Sequence, residues 1–378
     1  MILVKGGVVY TPECYGRADL IIAGDKIVAI KKEISPSKDN NLIDEIYDVS
    51  GSIIVPGFVD GHVHLIGGGG EGGFGTRTSE AEEEDFSKAG TTTVVGLLGT
   101  DGITRDLISL LAKVRSFKER GLKSFLLSGS YGFPVKTITG NIEKDIVLIP
   151  EILGAGEIAF SDHRGSGVTG EELKRLALEV RRGAMLSGKK GTVVCHMGGS
   201  LVGMNPLFEA IESGELPPSV LLPTHVSRNE KLLDQAINWV EKTGGYIDFT
   251  ASKKSRGYIA DLMKKESLID NISVSTDGCG SLPIFDKHGN LKGINSSPID
   301  TLMKMFRELV NDDIPMDKAL KPFTYNPAKI FGLLKEGIGQ INVNGLASFI
   351  VLCGDSMEIT HVFGSGKLLY KAIGHGPV

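Results

Sequence analysis

Two histidines separated by one residue close an apolar stretch near the beginning of the chain. Residues 56–64 read PGFVDGHVH and follow the apolar residues 53–55. Side chains alternate between the two faces of a β-strand, so His62 and His64 would point the same way while Val63 points to the other side. Two imidazoles on one face at a strand end form a bidentate clamp for a metal ion. A solvent-facing histidine pair in a loop is the alternative, and the spacing alone does not separate the two.

A glycine run follows the histidine pair. Gly67–Gly70 directly precede Glu71, and a backbone without side chains can approach a ligand closely. The run therefore favours a ligand site that has a carboxylate beside it.

Further residues of metal-binding types stand at or near the ends of other strand-like runs. They are Glu157 at the start of the fourth run, His196 at the end of the fifth, His225 at the end of the sixth and Asp277 at the end of the eighth. A lone polar residue is costly to bury unpaired beside an apolar strand. Each of them alone has another interpretation, as a hydrogen-bonded residue of the core or rim. Together with the histidine pair they predict a metal site, whereas we expect His288, His361 and His375 at the surface.

Four histidines and two carboxylates are enough for two metal ions that share a bridging ligand. Sites rich in imidazole, with carboxylates and open water positions, suit Zn²⁺ best, and other divalent first-row ions also fit. Two ions roughly 3.5 Å apart lower the pKa of a bridging water and polarise a carbonyl group. The pattern therefore favours hydrolysis of an amide or a related bond.

The hydrophobic pattern predicts the elements that must position these residues. Residues 1–55 contain short strand-like runs with glycine and proline between them and no helical period. From Phe58 onward, eight apolar strand-like runs alternate with segments that mostly have a helical pattern. The clearest helix begins at Thr169, which forms a capping box with Glu172 and precedes an amphipathic stretch that ends at Leu186.

Eight such units over roughly 270 residues predict an α/β fold of the (β/α)8 TIM-barrel type, with its chemistry at the C-terminal ends of the strands. A doubly wound open sheet is the alternative, but no Gly-x-Gly-x-x-Gly motif follows the first strand. Strand-like texture returns after residue 337, and strands at both chain ends can pair with each other. We therefore predict a small β-sandwich domain formed by residues 1–56 and 333–378, and a catalytic barrel domain formed by residues 57–332.

Composition narrows the function classes. The 378 residues include 41% hydrophobic residues and carry a net charge of −5, which leaves no electrostatic footprint for nucleic acid. The 4 cysteines lie far apart, which favours a reducing compartment over a disulfide framework. No stretch approaches about 18 consecutive apolar residues. We expect a cytoplasmic protein without a nucleic-acid or membrane partner.

Several motifs of the chain resemble those of known enzyme families. Residues 56–64 resemble the opening motif of the amidohydrolase superfamily, and the spacing of His196, His225 and Asp277 and the NPA sequence at 326–328 fit it too. Several further motifs resemble those of the β-aspartyl (isoaspartyl) dipeptidase family. They are LIGGGGE at 65–71, VGLLGTD at 95–101, TITG at 137–140, SDHR at 161–164, LPTH at 222–225 and STDG at 275–278. The resemblance extends over essentially the whole chain, and these motifs are specific to that family.

The resemblance implies a metallo-dipeptidase that hydrolyses the isopeptide bond of β-aspartyl dipeptides with a metal-bridging hydroxide. It implies two Zn²⁺ ions per chain, one held by His62 and His64 and the other held by His196 and His225. Asp277 would bind the first ion and act as general base and then as general acid. We also expect a small-molecule dipeptide as the binding partner and a homo-oligomeric assembly.

The resemblance further implies how the substrate is held. Tyr131 would donate a hydrogen bond to the scissile carbonyl oxygen, and Glu71 would pair with the free α-amino group. Arg164, Arg228 and Ser281 would hold the carboxylates of the substrate, and Thr100 would line the pocket. These charges suit the ligand, because an isoaspartyl dipeptide carries one ammonium and two carboxylates, and arginine recognises carboxylates through two parallel hydrogen bonds. A salt bridge at the barrel rim is the alternative role for the two arginines.

One residue departs from the pattern of many relatives. They bridge the two metals with a carbamylated lysine on the fourth strand, and Glu157 occupies the corresponding position here. A glutamate can bridge two cations through its own two oxygens without CO₂, but it is shorter than a carbamylated lysine. We expect Glu157 to bridge, and the alternative is that it misses the metals and the site holds one ion.

Two other functions remain as alternatives. One is another amidohydrolase reaction on a small cyclic amide or an N-acyl amino acid, although a neutral ring has no use for so many charged residues. The other is a metal-free barrel that serves as a non-catalytic scaffold, which the complete ligand set argues against.

Overall fold

The computed structural model describes residues 1–35, 42–264, 266–288 and 291–373. Its strands, in chain order, are β1 (Ile2–Tyr10), β2 (Cys14–Ala23), β3 (Lys26–Lys31), β4 (Glu45–Asp48), β5 (Ser52–Pro56), β6 (Phe58–Val63), β7 (Thr91–Gly96), β8 (Lys123–Ser128), β9 (Ile152–Phe160), β10 (Thr192–Met197), β11 (Leu221–Thr224), β12 (Ile247–Thr250), β13 (Ile272–Ser275), β14 (Ser281–Phe285), β15 (Leu291–Ser296), β16 (Phe349–Cys353), β17 (Ile359–Gly364) and β18 (Lys367–Lys371).

The helices lie mostly between the strands of the middle segment. They are α1 (Glu83–Lys88), α2 (Leu107–Arg120), α3 (Ile142–Leu148), α4 (Gly170–Ser187), α5 (Asn205–Ile211), α6 (Glu230–Thr243), α7 (Lys253–Lys264), α8 (Thr301–Asn311), α9 (Met316–Leu320) and α10 (Tyr325–Ile330). The predicted capping box at the start of α4 is present, since Thr169 and Glu172 exchange side-chain-to-backbone hydrogen bonds. Within the described ranges, no helix combines the length and the apolar composition that a bilayer crossing requires.

Eight strands of the middle segment curl into one parallel layer, which consists of a six-stranded and a two-stranded hydrogen-bonded sheet. Strands β6 to β11 are hydrogen-bonded in chain order, and β12 pairs in parallel with β13. A parallel bridge between Val63 and Gly278 then joins the end of β6 to the segment after β13. Every residue of β6, β7 and β9 is buried, as expected for strands covered on both faces. The predicted fold class is confirmed, and the carboxyl ends of these strands meet at one edge.

The two chain ends share one mixed sheet. Its strand order is β18-β17-β16-β5-β1-β2-β3, with β4 beside β1. Strand β16 pairs antiparallel with β5, placing Phe349 opposite Pro56, and only Gly57 separates β5 from the first barrel strand. The sheet has its own cluster of buried apolar side chains, including Leu20, Ile54 and Phe363. The sheet of the two chain ends is thus directly attached to the strand that carries His62.

One surface prediction is wrong. His361 lies on β17, is only 8% exposed and packs edge-on against Tyr47, because this strand is covered on both faces. His288 is exposed as predicted, and His375 lies outside the described residues.

A buried asparagine is hydrogen-bonded to the start of the strand that leads to Asp277. Asn326, on α10, donates from Nδ2 to the carbonyl oxygens of Ile269 and Ile272, each at 2.7 Å. Ile272 is the first residue of β13, and Asn326 is fully buried. Water therefore cannot replace these two hydrogen bonds when the side chain is removed.

We expect Asn326→Ala to lower the free energy of unfolding by about 2 kcal/mol, because it leaves two carbonyls unpaired in a dry site. Asn271→Ala is the matched control: Asn271 also donates to two carbonyls, those of Gly244 and Gly245, but near the surface. Denaturant unfolding followed by circular dichroism measures both. Equal losses in the two variants would contradict the role of burial.

Candidate active site

The predicted metal ligands converge at the carboxyl edge of the barrel. His62 lies at the end of β6, His64 directly after it, Glu157 within β9, His196 near the end of β10, His225 directly after β11 and Asp277 two residues after β13. The four histidines and Glu157 are buried. The position of Glu157 corrects the prediction in one detail, since β9 begins five residues earlier, at Ile152. The glycines and alanine before Glu157 gave no strand signal in the sequence.

Glu157 is the centre of the cluster. Its Oε2 lies 2.8 Å from Nδ1 of His196, 3.3 Å from Nε2 of His62 and 3.5 Å from Nε2 of His225. Its Oε1 lies 3.4 Å from Nε2 of His64. All four imidazoles therefore face one carboxylate, which is fully buried. His62 and His64 both point to it, as the strand alternation predicts.

Asp277 closes the cluster from the side of the cavity. Its Oδ1 lies 3.0 Å from Nε2 of His64 and 3.6 Å from Nε2 of His62. Asp277 has a φ of +53°, and His225 has a φ of +61°. Non-glycine residues rarely adopt this left-handed backbone conformation, which is strained and concentrates at functional sites.

The cluster has the orphaned polar atoms expected of a metal site. Both ring nitrogens of His62, Nδ1 of His64, Oε1 of Glu157 and Nε2 of His225 are buried without a hydrogen-bond partner. Unpaired buried polar atoms are rare in folded proteins. Two sets of three residues share His62, and within each set the ligand atoms all lie within 4.8 Å of one another. One set is His62, His64 and Asp277, and the other is His62, Glu157 and His225. The donor set therefore fits divalent metal ions.

The electrostatics of the cluster also favour a cation. Burial by itself lowers the pKa of His62, but the negative charges of Glu157 and Asp277 raise it to about 9. Burial, together with His196, lowers the pKa of His225 to about 3. Burial raises the pKa of Glu157, yet the neighbouring His62 and His196 hold it well below its ordinary value. The buried carboxylate of Glu157 therefore stays ionised between one imidazole with a raised pKa and another with a lowered pKa, and its negative charge attracts a cation.

A cavity of about 450 Å³ opens beside the cluster, within the size range of small-molecule sites. Its lining includes His64, Glu71, Thr100, Tyr131, Arg164, His196, Arg228, Asp277 and Ser281. Every substrate-binding residue predicted from the sequence therefore lies on one cavity. His62, Glu157 and His225 are absent from this lining and lie beneath it.

Glu71 is held at the cavity wall with one oxygen to spare. Its Oε1 accepts hydrogen bonds from Ser281 Oγ at 2.8 Å, Thr100 Oγ1 at 3.2 Å and Arg164 Nη1 at 3.3 Å. Its Oε2 is buried and has no hydrogen-bond partner. An unpaired buried carboxylate oxygen next to a cavity is suited to a cationic donor on a ligand.

Tyr131 and the two arginines converge on His196, because Nη2 of Arg164 and Nη2 of Arg228 each lie 3.3 Å from its Nε2. The Tyr131 hydroxyl lies 2.9 Å from His196 Nδ1, and the Arg164 guanidinium lies 5.2 Å from the centroid of the tyrosine ring. Burial and the negative charge of Glu157 raise the pKa of Tyr131 well above its ordinary value, so its hydroxyl keeps its proton as a donor. Arg228 donates from Nε to the Met197 carbonyl at 3.0 Å.

The comparison with known structures now decides the family. The crystal structure of the β-aspartyl dipeptidase from Fervidobacterium islandicum AW-1, in complex with the β-Asp-Leu dipeptide, is 40% identical to this chain. The match has a TM-score of 0.91 and covers 98% of this chain and 97% of the other. The chain belongs to the β-aspartyl dipeptidase family of amidohydrolases.

Curated relatives match this family member over shorter segments. A 5-methylthioadenosine/S-adenosylhomocysteine deaminase from Pyrococcus horikoshii is 43% identical over 65 residues, 17% of this chain and 14% of the relative. A dihydroorotase from Lactobacillus leichmannii is 32% identical over 168 residues, 44% of this chain and 36% of the relative. The chain thus spans well under half the length of these relatives. No protein-family model matches the sequence.

Two carboxylates that the sequence interpretation did not assign support the site. Asp60, within the PGFVDGHVH motif, accepts hydrogen bonds from Thr276 N at 3.2 Å, Thr276 Oγ1 at 2.5 Å and His62 N at 3.3 Å. It therefore ties the strand of the first two histidines to the segment that carries Asp277. Burial raises the pKa of Asp60 to about 7. The sequence signal that could have identified Asp60 is an acidic residue inside an otherwise largely apolar run.

Asp162 is the second unassigned carboxylate. Its Oδ2 lies 2.8 Å from Arg164 Nη2 and 3.2 Å from His196 Nε2, and its Oδ1 accepts from Arg164 Nε at 2.9 Å. Although burial raises the pKa of Asp162, Arg164 and His196 hold it below its ordinary value. Asp162 fixes the arginine fork and occupies one nitrogen of His196, leaving the other, Nδ1, toward Glu157. A carboxylate behind a metal-binding histidine commonly sets the orientation of its ring.

We expect Glu157→Gln to reduce the metal content of the purified protein to less than half of the wild-type value. The amide keeps the shape of the side chain but removes the negative charge that all four imidazoles face. Elemental analysis of the purified variants measures the bound metal per chain.

Glu151→Gln is the matched control, because Glu151 is also buried near β9 but pairs with Arg115 and Lys118 at 3.4 and 3.2 Å. It should keep the wild-type metal content. Full metal content in Glu157→Gln would exclude Glu157 as a ligand.

Proposed function

We propose that the protein is a metal-dependent dipeptidase that hydrolyses the isopeptide bond of β-aspartyl dipeptides. The observation that carries this proposal is the charge arrangement around one cavity. A carboxylate with an unpaired oxygen and two guanidinium groups lie beside a cluster of four imidazoles and two carboxylates. The β-Asp-Leu complex of the Fervidobacterium islandicum AW-1 dipeptidase supports the same substrate class.

The charges of the cavity complement an isoaspartyl dipeptide. The free α-amino group meets Oε2 of Glu71, the unpaired oxygen. The carboxylates of the substrate meet Arg164 and Arg228, whose planar forks suit bidentate binding. Asp162 holds the Arg164 fork from behind through two hydrogen bonds, so little side-chain entropy is lost when a carboxylate binds. Ser281 and Thr100 hold Glu71 in place.

The proposed metal ligands divide around Glu157. His62, His64 and Asp277 would hold one ion, His196 and His225 the other, and Glu157 would contact both. Two zinc ions bound there would polarise the scissile carbonyl and lower the pKa of the attacking water. The two oxygens of Glu157 already face imidazoles from both sets, at 3.4 Å from His64 and 2.8 Å from His196. No carbamylated lysine is needed in this arrangement.

Side chains of the protein carry out the proton transfer. Asp277 borders both the cavity and the histidines, so it accepts a proton from the attacking water and delivers it to the leaving amine as the C–N bond breaks. Tyr131 donates a hydrogen bond from its hydroxyl to the carbonyl oxygen as negative charge develops there. Self-association into a homo-oligomer stays a prediction that sedimentation analysis would measure.

We expect the purified protein to hydrolyse β-Asp-Leu and to leave α-Asp-Leu intact. Only the β-linkage places the α-amino and α-carboxylate groups together on the same side of the scissile bond, where Glu71 and the arginines lie. Chromatographic detection of released leucine measures both rates. A chelator should abolish the activity and zinc should restore it. Equal rates on the two linkages would contradict the proposed specificity.

We expect Asp277→Asn to lower kcat by about 10³-fold, because the amide can no longer carry the proton. Most of the bound metal should remain, since the histidines and Glu157 are unchanged. Asp261→Asn, at an exposed position of α7, is the control and should match the wild type. Substantial turnover by Asp277→Asn would remove this residue as the proton carrier.

A further inference from the structure

A two-stranded hairpin directly follows Asp277 and forms part of the cavity wall. Strands β14 and β15 pair antiparallel, with Pro283 opposite Ile294 and Ser281 opposite Ser296. Ser281 and Pro283 lie on the same face of β14, because side chains alternate along a strand. Ser281 reaches Glu71 from this face, and Pro283 and Ile294 line the same cavity.

The cavity is divided by chemical character. Of the described residues that line it, only Pro283 and Ile294 carry aliphatic side chains. The other lining side chains are charged, polar or aromatic, and several belong to the metal cluster or to the carboxylate-binding arginines. Neither aliphatic residue is buried, so each retains surface on which a ligand can pack.

We propose that the Pro283–Ile294 pair is the subsite for the side chain of the leaving amino acid and selects aliphatic side chains. This inference rests on the proposed function. The aspartyl half of the substrate occupies the charged part of the cavity, so the leaving residue extends to the remaining wall. An aliphatic side chain gains by removing apolar area of this pair from water. A charged side chain placed there is partly desolvated without a partner.

The opposite face of the hairpin supplies a matched control. Leu282 is the strand neighbour of Pro283, is 42% exposed and is absent from the cavity lining. Ile294→Asn and Leu282→Asn therefore make similar changes in one hairpin, on opposite faces. Only the first changes the surface that the cavity presents.

The test compares kcat/KM for β-Asp-Leu and β-Asp-Gly in the wild type and both variants. We expect the wild type to favour β-Asp-Leu by about tenfold or more. Ile294→Asn should lower this leucine-to-glycine ratio by about tenfold, mainly through KM for β-Asp-Leu. Leu282→Asn should keep the wild-type ratio. Ile294→Ala, a smaller change, should lower the ratio in the same direction if the asparagine variant does not fold.

The outcomes separate the subsite from the proposed function. Cleavage of both β-linked dipeptides with equal kcat/KM, or an unchanged ratio in the Ile294 variants, would overturn the subsite and leave the dipeptidase proposal standing. A parallel loss of the ratio in Leu282→Asn would also overturn it, because the effect would then belong to the hairpin as a whole. If the metal-loaded wild type cleaves neither β-linked dipeptide, the proposed function fails, and the subsite fails with it.

Discussion

The carboxylate of Glu157 faces four imidazoles at 2.8 to 3.5 Å in a place that water does not reach. An ionised group buried in this way is unfavourable unless positive charge or hydrogen bonds compensate it. The four imidazoles that compensate it come from three strand ends, those of β6, β10 and β11, and the barrel brings these ends within reach of one another. Supporting contacts limit the freedom of these histidines: Asp60 accepts a hydrogen bond from the backbone of His62, and Thr250 Oγ1 lies 2.6 Å from Nδ1 of His225. The rest of the cavity is arranged on this fixed base.

A second layer of charge is built above the first. Glu71, Arg164 and Asp162 form a chain of contacts in which each carboxylate oxygen except Oε2 of Glu71 has a partner. Such a network is rigid before any ligand arrives, and preorganised charges act more strongly than those that must be reoriented. Its single unpaired oxygen marks where a ligand cation completes it. The unpaired oxygen of Glu71 therefore indicates where the positively charged group of a ligand would bind.

The sequence allowed the strand count, the barrel and the six metal-binding candidates to be predicted, because a histidine or carboxylate at the end of an apolar run is costly to bury without a partner. It did not reveal the first half of β9, where Gly154 and Gly156 replace the bulky residues that mark a strand. A side chain at Gly154 would collide with the Thr192 backbone, so close strand packing itself removed the signal. Asp60 and Asp162 went unassigned because a carboxylate that only accepts hydrogen bonds from spatial neighbours has no characteristic spacing. The burial of His361 depends on packing against Tyr47, which lies near the other end of the chain, and a local sequence pattern cannot show such a contact.

The pairing of β5 with β16 has a consequence for the order in which the molecule is completed. During synthesis β5 is made long before its partner strand β16, whose Phe349 lies opposite Pro56. Until then β5 presents an unpaired edge, and such edges are prone to join strands of other chains. The nascent chain therefore carries an edge prone to aggregation until β16 has been made.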